Sequence, residues 1–167
     1  MITIAWDIDD VLNDLDKEFK NWISLTGLII DDKNYLKYLD RFRLGYYLNL
    51  KPNTEIYNWF IENGTKVINI AITAVPSKLA YLSSWWLFKN FKWFNSIVII
   101  PSYREDDPII NPFKTKGEYL QWFGKADIFI DDNEKNIRDA KELNPNIKCF
   151  HINNNIKSVL KDITKLI

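Results

Sequence analysis

Five short apolar runs recur along the chain, at residues 2–6, 67–73, 97–100, 126–130 and 147–152, and none is long enough for a globular helix. Most are rich in β-branched residues and read as strands buried on both faces. The stretches between them carry helical spacing instead. Leu12, Leu15, Phe19, Trp22 and Ile23 mark a helix running to about Ser24, and Gly27 breaks it. Asp31 and Asp32 are placed to cap a second helix carrying Tyr35, Leu36, Tyr38, Leu39 and Phe42, which fades near Gly45. Pro52 and Asn53 start a third through Ile56, Trp59, Phe60 and Ile61, and Gly64 stops it. Further helices are expected over 77–91, with Leu79, Leu82 and Trp86 on one stripe, and over 117–123, 134–143 and 156–166. Such alternation predicts an α/β fold. Right-handed crossovers pair the strands in parallel, giving a five-stranded sheet with helices on both faces, a three-layer Rossmann-like sandwich. About 50 residues of helical pattern separate the first two strands, more than a crossover needs. Within a single domain over 1–167, residues of about 15–50 are therefore expected to form a small helical cap above the strand ends.

What closes the strands is chemically loaded. The first run passes directly into Asp7, Asp9 and Asp10, the second ends in Thr73, and the fourth ends in Asp131 and Asp132. In a parallel sheet these ends lie along one edge, where open α/β folds place their ligands. An Asp after a strand is also a common helix N-cap, so each acid alone says little. Gathered together, four carboxylates repel and raise one another's pKa unless a divalent cation keeps them ionised. An all-oxygen donor set favours Mg²⁺, which completes its shell with waters and substrate phosphate.

The ordered pattern resembles the haloacid dehalogenase superfamily of phosphohydrolases: a strand then D-x-D-x-V, a strand then Thr, a Lys ahead of a helix, and a strand then D-D. Its four motifs span residues 2–136. The resemblance implies that Asp7 is a nucleophile forming an aspartyl phosphate and that Asp9 is the general acid/base. It implies that Thr73, with the backbone N–H of Ala74, clamps the phosphate. Lys116 would neutralise the phosphoryl group and Asp7, with Lys114 a rival for that place. Asp131 and Asp132, joined by the Asp7 carboxylate and the Asp9 main-chain carbonyl, would hold Mg²⁺. Within the superfamily, DIDDVLND at 7–14, the helical insertion, Thr-x-x-Pro-x-Lys at 73–78 and FIDDN at 129–133 look closest to the 5′(3′)-deoxyribonucleotidase branch. Asp10 stands where that branch usually has Gly, and Ala74 where it usually has Ser. Asp10 is then a turn residue that offers its N–H to phosphate. The implied activity is hydrolysis of small phosphate monoesters, first of all a (deoxy)nucleoside monophosphate, with sugar phosphates or phosphoamino acids as the alternative. Trp22, Tyr46, Tyr47 and Trp85 are candidates to stack on a base, with core packing the competing use of each.

Two other classes compete. A signalling receiver also gathers acids, a Thr and a Lys, but its phosphoacceptor ends the third strand, and here that strand ends in Pro101 with no acid. A non-catalytic binding module on the same fold would not need both Asp7 and Asp9.

Composition narrows the partners. Lys plus Arg (22) equals Asp plus Glu (22), so no net field draws the chain to a nucleic-acid polymer or an anionic membrane. No basic leader precedes Asp7 and no run of about 18 apolar residues occurs, which predicts neither signal peptide nor membrane span and a cytoplasmic monomer or homodimer. Arg41 and Arg43 are candidates for an anion contact against the commoner use as a solvated helix face. Cys149, the single cysteine, reads as a core thiol. The polar segment 102–112, with Arg104, Glu105, Asp106 and Asp107, reads as a surface loop near the strand ends.

Overall fold

The computed structural model describes residues 1–101, 112–153 and 155–167. The loop expected over 102–112 therefore lies almost wholly outside the described residues. Strand β1 (Thr3–Trp6) is followed by helices α1 (Leu15–Thr26) and α2 (Tyr35–Tyr46), a 3₁₀ turn at Tyr47–Asn49 and α3 (Thr54–Asn63). Then come β2 (Ile68–Val75), a 3₁₀ turn at Ser77–Leu79, α4 (Ala80–Asn90), β3 (Phe94–Pro101) and α5 (Lys116–Phe123). The chain closes with β4 (Ile128–Asp131), α6 (Glu134–Leu143), β5 (Lys148–His151) and α7 (Ile156–Thr164).

All five strands are parallel, in the order β3-β2-β1-β4-β5. This is the doubly wound order and not the 2-1-3-4-5 order of a receiver, so the receiver alternative fails on topology. β1 lies at the centre, with Ala5 opposite Ile70 on one side and Phe129 on the other. Alternation along it feeds two cores. Ile4 and Trp6 join Trp59, Phe60, Trp86 and Ile163 on the face covered by α3, α4 and α7, while Ala5 joins Phe129, Leu120, Ile137 and Ala140 under α5 and α6. Buried indoles find acceptors as they must: Trp6 Nε1 donates to Asn69 Oδ1 at 3.0 Å, and Trp86 Nε1 to the Leu50 carbonyl at 2.8 Å.

The inserted helices have a small apolar contact of their own. Phe19 of α1 is buried against Trp22, Tyr35 and Phe42, with ring centroids 5.5–6.0 Å apart. Gly27 ends α1 in the left-handed region at φ 66°, which costs a residue without Cβ nothing. Asp31 does cap the turn leading into α2, its Oδ1 accepting from the N–H groups of Lys33 and Asn34. β2 and β3 run longer than expected. β3 starts at Phe94, and the polar Asn95 and Ser96 hide its start in the sequence: Asn95 is the extra residue of a bulge facing Asn69 and Ile70, and its Oδ1 accepts from the Asn69 N–H. Cys149 is half-buried on β5, and burial pushes its thiol pKa up, which keeps it protonated and inert. Among the described residues no helix is long and apolar enough to cross a membrane.

Candidate active site

The ladder carries the first acid into place. The Asp7 N–H donates to the Ile130 carbonyl at 2.9 Å, one residue past the end of β1, and its carboxylate accepts from the Ile8 N–H at 2.7 Å. The chain then turns tightly. The N–H groups of Val11, Leu12 and Asn13 converge on the Ile8 carbonyl, at 3.3, 2.8 and 3.3 Å. Asp10 adopts φ 60°, the left-handed region that glycine favours and Asp tolerates. Its N–H donates to Asn13 Oδ1 at 3.3 Å. Asn13, fully buried, also accepts from the Leu15 N–H at 3.1 Å, and Asp10 Oδ1 accepts from the Asp16 N–H at 2.7 Å. Between them they satisfy first-turn donors of α1.

A second side of the site comes from α5 and β4. Thr115 caps α5 by accepting from the Glu118 N–H at 3.1 Å, and this start sets Lys116 as the first helical residue. Lys116 is 3% exposed, and its Nζ stands 2.7 Å from Asp7 Oδ2 and 2.7 Å from Asp131 Oδ2. Lys114 is exposed, so of the two rivals it is Lys116 that lies among the acids. Asp131, fully buried at the end of β4, also accepts from the Asn133 N–H at 2.8 Å and from Asn136 Nδ2 at 3.0 Å.

Burial dominates the proton affinities. It raises the Asp7 pKa well above the carboxylate norm; Lys116 opposes the rise and the Asp131 charge adds to it. Burial, then the charge of Asp131, lifts Asp132 to about 6. Burial likewise lifts Asp10 to about 7, against the hydrogen bond from the Asp16 N–H. For Lys116 burial works downward, but the Asp7 and Asp131 charges outweigh it and the net direction is up. The ammonium ion is therefore firmly protonated.

Asp7, Asp131 and Asp132 each offer a carboxylate oxygen, all within 4.8 Å of one another. The donor set is entirely hard oxygen, and two of its three acids hold protons too tightly for ordinary carboxylates, so the residues present fit a small divalent cation. Asp7 and Asp132 open into a cavity of about 720 Å³ that Asp9, Asp10, Thr73, Ala74, Lys116 and Arg43 also line, while Asp131 is fully buried against Lys116. Of the residues singled out at the strand ends, all but the buried Asp131 line this one cavity. Thr73 does so two residues before the end of β2, paired with Ile99.

Arg43 departs from the sequence reading. It is not on a solvated face: it is 7% exposed and its Nη2 donates to Asp9 Oδ2 at 2.8 Å. Arg41 is exposed as expected. Tyr47, expected as a stacking or core ring, is fully buried with its hydroxyl on Asp9 Oδ1 at 2.5 Å. Trp85 is 73% exposed, and Trp22 and Tyr46 line a separate cavity of about 400 Å³ between α1 and α2. Among the described residues the aromatic ring that lines the main cavity is Tyr35, which the sequence reading assigned only to the helix. Asn13 and Asn136 were not marked as site residues, and Arg43 and Tyr47 were marked only as candidates for an anion contact and a base stack, not as partners of Asp9. The only signal at hand was that Asn13 and Asn136 lie within six residues of Asp7 and Asp131.

No protein-family model matches the sequence, and no curated protein matches it. Solved structures do. A haloacid dehalogenase-like hydrolase from Streptococcus pneumoniae superposes with a TM-score of 0.62 at 13% identity, covering 92% of this chain and 85% of that one. A candidate beta-phosphoglucomutase from Thermotoga maritima gives 0.58 at 14% identity, over 98% of this chain and 100% of that one. A subfamily IA hydrolase of the same superfamily from Geobacter sulfurreducens gives 0.55 at 14% identity, over 90% and 89%. The fold is that of the haloacid dehalogenase-like hydrolases.

Proposed function

We propose that this fold carries a Mg²⁺-dependent phosphatase of small phosphate monoesters, acting through an aspartyl phosphate. The observation that carries the reading is the buried Lys116 ammonium bridging Asp7 and Asp131 at 2.7 Å each, beside Asp132 and Thr73 in one cavity. A lysine so placed counters the charge of both a phosphoryl group and the carboxylate that must approach it. Mg²⁺, held by Asp7, Asp131, Asp132 and the Asp9 carbonyl, would supply further neutralisation of phosphoryl oxygens. Thr73 and the Ala74 N–H hold the phosphate with Lys116. The Asp7 oxygen that lies toward Lys116 attacks phosphorus in line, and the bond to the leaving oxygen breaks as the new one forms. Asp9 protonates that oxygen, then takes a proton from the water that hydrolyses the acyl phosphate. Residues 15–50 serve as the cap over this site, since Asp16, Lys17, Tyr35, Leu39 and Arg43 wall the same cavity.

A nucleoside monophosphate is the first substrate, with the half-exposed Tyr35 as the ring surface for a base. Sugar phosphates are the second reading, supported by a wall rich in hydroxyl-accepting groups (Asp10, Asp14, Asp16, Asn133, Asn136, Asn153) and by the likeness to the Thermotoga protein. Phosphate release from nucleotides, sugar phosphates and phosphoamino acids, with and without Mg²⁺, distinguishes them. Asp7→Asn should abolish release and leave the fold intact; wild-type turnover by that variant would overturn the mechanism.

A further inference from the structure

The Asp9 carboxylate is gripped from the insertion, not from the sheet. Its Oδ2 accepts from Arg43 Nη2 at 2.8 Å and its Oδ1 from the Tyr47 hydroxyl at 2.5 Å, while Asn13 Nδ2 stands at 3.4 Å. Arg43 belongs to the last turn of α2, and Tyr47 opens the 3₁₀ turn that follows directly, so both reach Asp9 from one rigid corner. That corner is itself fixed. Tyr47 is fully buried with its ring edge-on to Trp86 at 6.2 Å, and Ser83 Oγ donates to its hydroxyl at 3.4 Å. The Arg43 Nε–H is buried without an acceptor, so Asp9 is the group that retains this guanidinium among the described residues.

Two charge-assisted donors from one corner fix both the position and the plane of a carboxylate. We infer that Arg43 and Tyr47 are positioning residues that aim the Asp9 carboxyl at the departing ester oxygen, an inference that rests on the phosphatase reading above. As the Asp7 oxygen bonds to phosphorus, the electron pair of the broken P–O bond stays on the leaving oxygen, and the Asp9 proton neutralises it. Arg43 holds Oδ2, which leaves Oδ1 to carry that proton. The Tyr47 hydroxyl donates to an Oδ1 lone pair, so that bond persists whether or not Oδ1 carries the proton, which stays free to reach the leaving oxygen. General-acid delivery matters most where the leaving oxygen is strongly basic, and hardly at all where it departs readily as an anion.

The test is a series of aryl phosphates graded from phenyl to dinitrophenyl phosphate, read as kcat/KM with Mg²⁺ present. This quantity covers only the steps through release of the phenol, so later hydrolysis of the acyl phosphate does not enter. Arg43→Gln and Tyr47→Phe should each lower kcat/KM for phenyl phosphate by about 10²-fold, the lower end of a general-acid contribution. The dinitrophenyl ester should be nearly unaffected. Arg43→Lys, which restores the charge, should recover part of the loss. Asp9→Asn should show the same dependence on leaving group, and adding Arg43→Gln to it should cost little more. Equal losses across the series, or no loss in either variant, overturn the inference alone. A wild-type protein that releases phosphate from no ester of the series or of the substrate screen overturns the phosphatase reading as well. If Arg43→Gln fails to fold, Tyr47→Phe, which deletes one hydroxyl and keeps the ring on Trp86, carries the test.

Discussion

Replacing Lys116 with Ala probes the centre of the site without any substrate. The wild-type ammonium sits 2.7 Å from two carboxylates, themselves fully buried or nearly so. Two charges at that distance attract by about 6 kcal/mol at an effective dielectric near 20, and desolvation of the three groups offsets most of this. What remains after deletion is a pair of buried acids facing each other with no cation. Breaking a buried pair on one side typically costs about 3–5 kcal/mol, a large part of the roughly 5–15 kcal/mol that holds a domain together. At about 2–4 °C per kcal/mol for a chain of this size, melting should fall by roughly 10 °C. Urea unfolding in EDTA at about pH 8 measures it, and Lys116→Met, which keeps most of the volume, separates charge from cavity. Both variants should lose similar stability, and the deficit should shrink at about pH 5. Without the ammonium the Asp7 pKa rises further, and a group whose folded pKa is raised stabilises at low pH and loses that contribution as pH climbs. A loss below about 1 kcal/mol in Lys116→Ala, with an unchanged denaturant slope, would refute the reasoning.

The same linkage applies to the wild-type protein. Asp132 and Asp10 shift from 3.8 to about 6 and about 7, and Asp7 shifts in the same direction. Their contribution is complete below the unfolded value and lost as pH rises through the folded ones, so metal-free protein should melt progressively lower from about pH 4 to about pH 7. Mg²⁺ added at the upper end should restore much of the loss; a flat or rising profile in EDTA speaks against three under-compensated acids. Gly117→Ala should destabilise by about 1–3 kcal/mol in urea titrations, because a Cβ there would stand 2.4 Å from Asp139 Oδ2 and 3.2 Å from the Ala140 nitrogen. Asp139→Ala should relieve most of that cost, and a Gly117→Ala protein as stable as the wild type would mean that α5 and α6 can part freely.

Legibility in the sequence followed the range of each interaction. Strands announced themselves as short apolar runs, two of them stopped by acids, and α6 matched its expected limits because Asn133 caps it locally, accepting from the Lys135 N–H. Asp7, Thr73 and Asp131 were legible because parallel strands must end at one edge. Arg43 and Tyr47 were not, since their partner Asp9 lies 34 and 38 residues away. Nothing in helical periodicity separates a buried arginine from a solvated one. Lys116 against Lys114 turned on where α5 begins, a matter of one cap.

The central place of β1 sets two timescales within one site. Its amides bond to strands on both sides, and Ala5 and Trp6 are fully buried, so their hydrogens should exchange with solvent only when the whole domain opens. Helices α1 and α2, with many exposed positions and a modest apolar contact, should exchange through far smaller openings. Deuterium uptake by mass spectrometry would resolve the two classes. If they separate, Asp7 and Tyr47, which is buried on Trp86, ride on the last part of the molecule to yield, while Arg43 belongs to a helix that opens and recloses many times for each global unfolding.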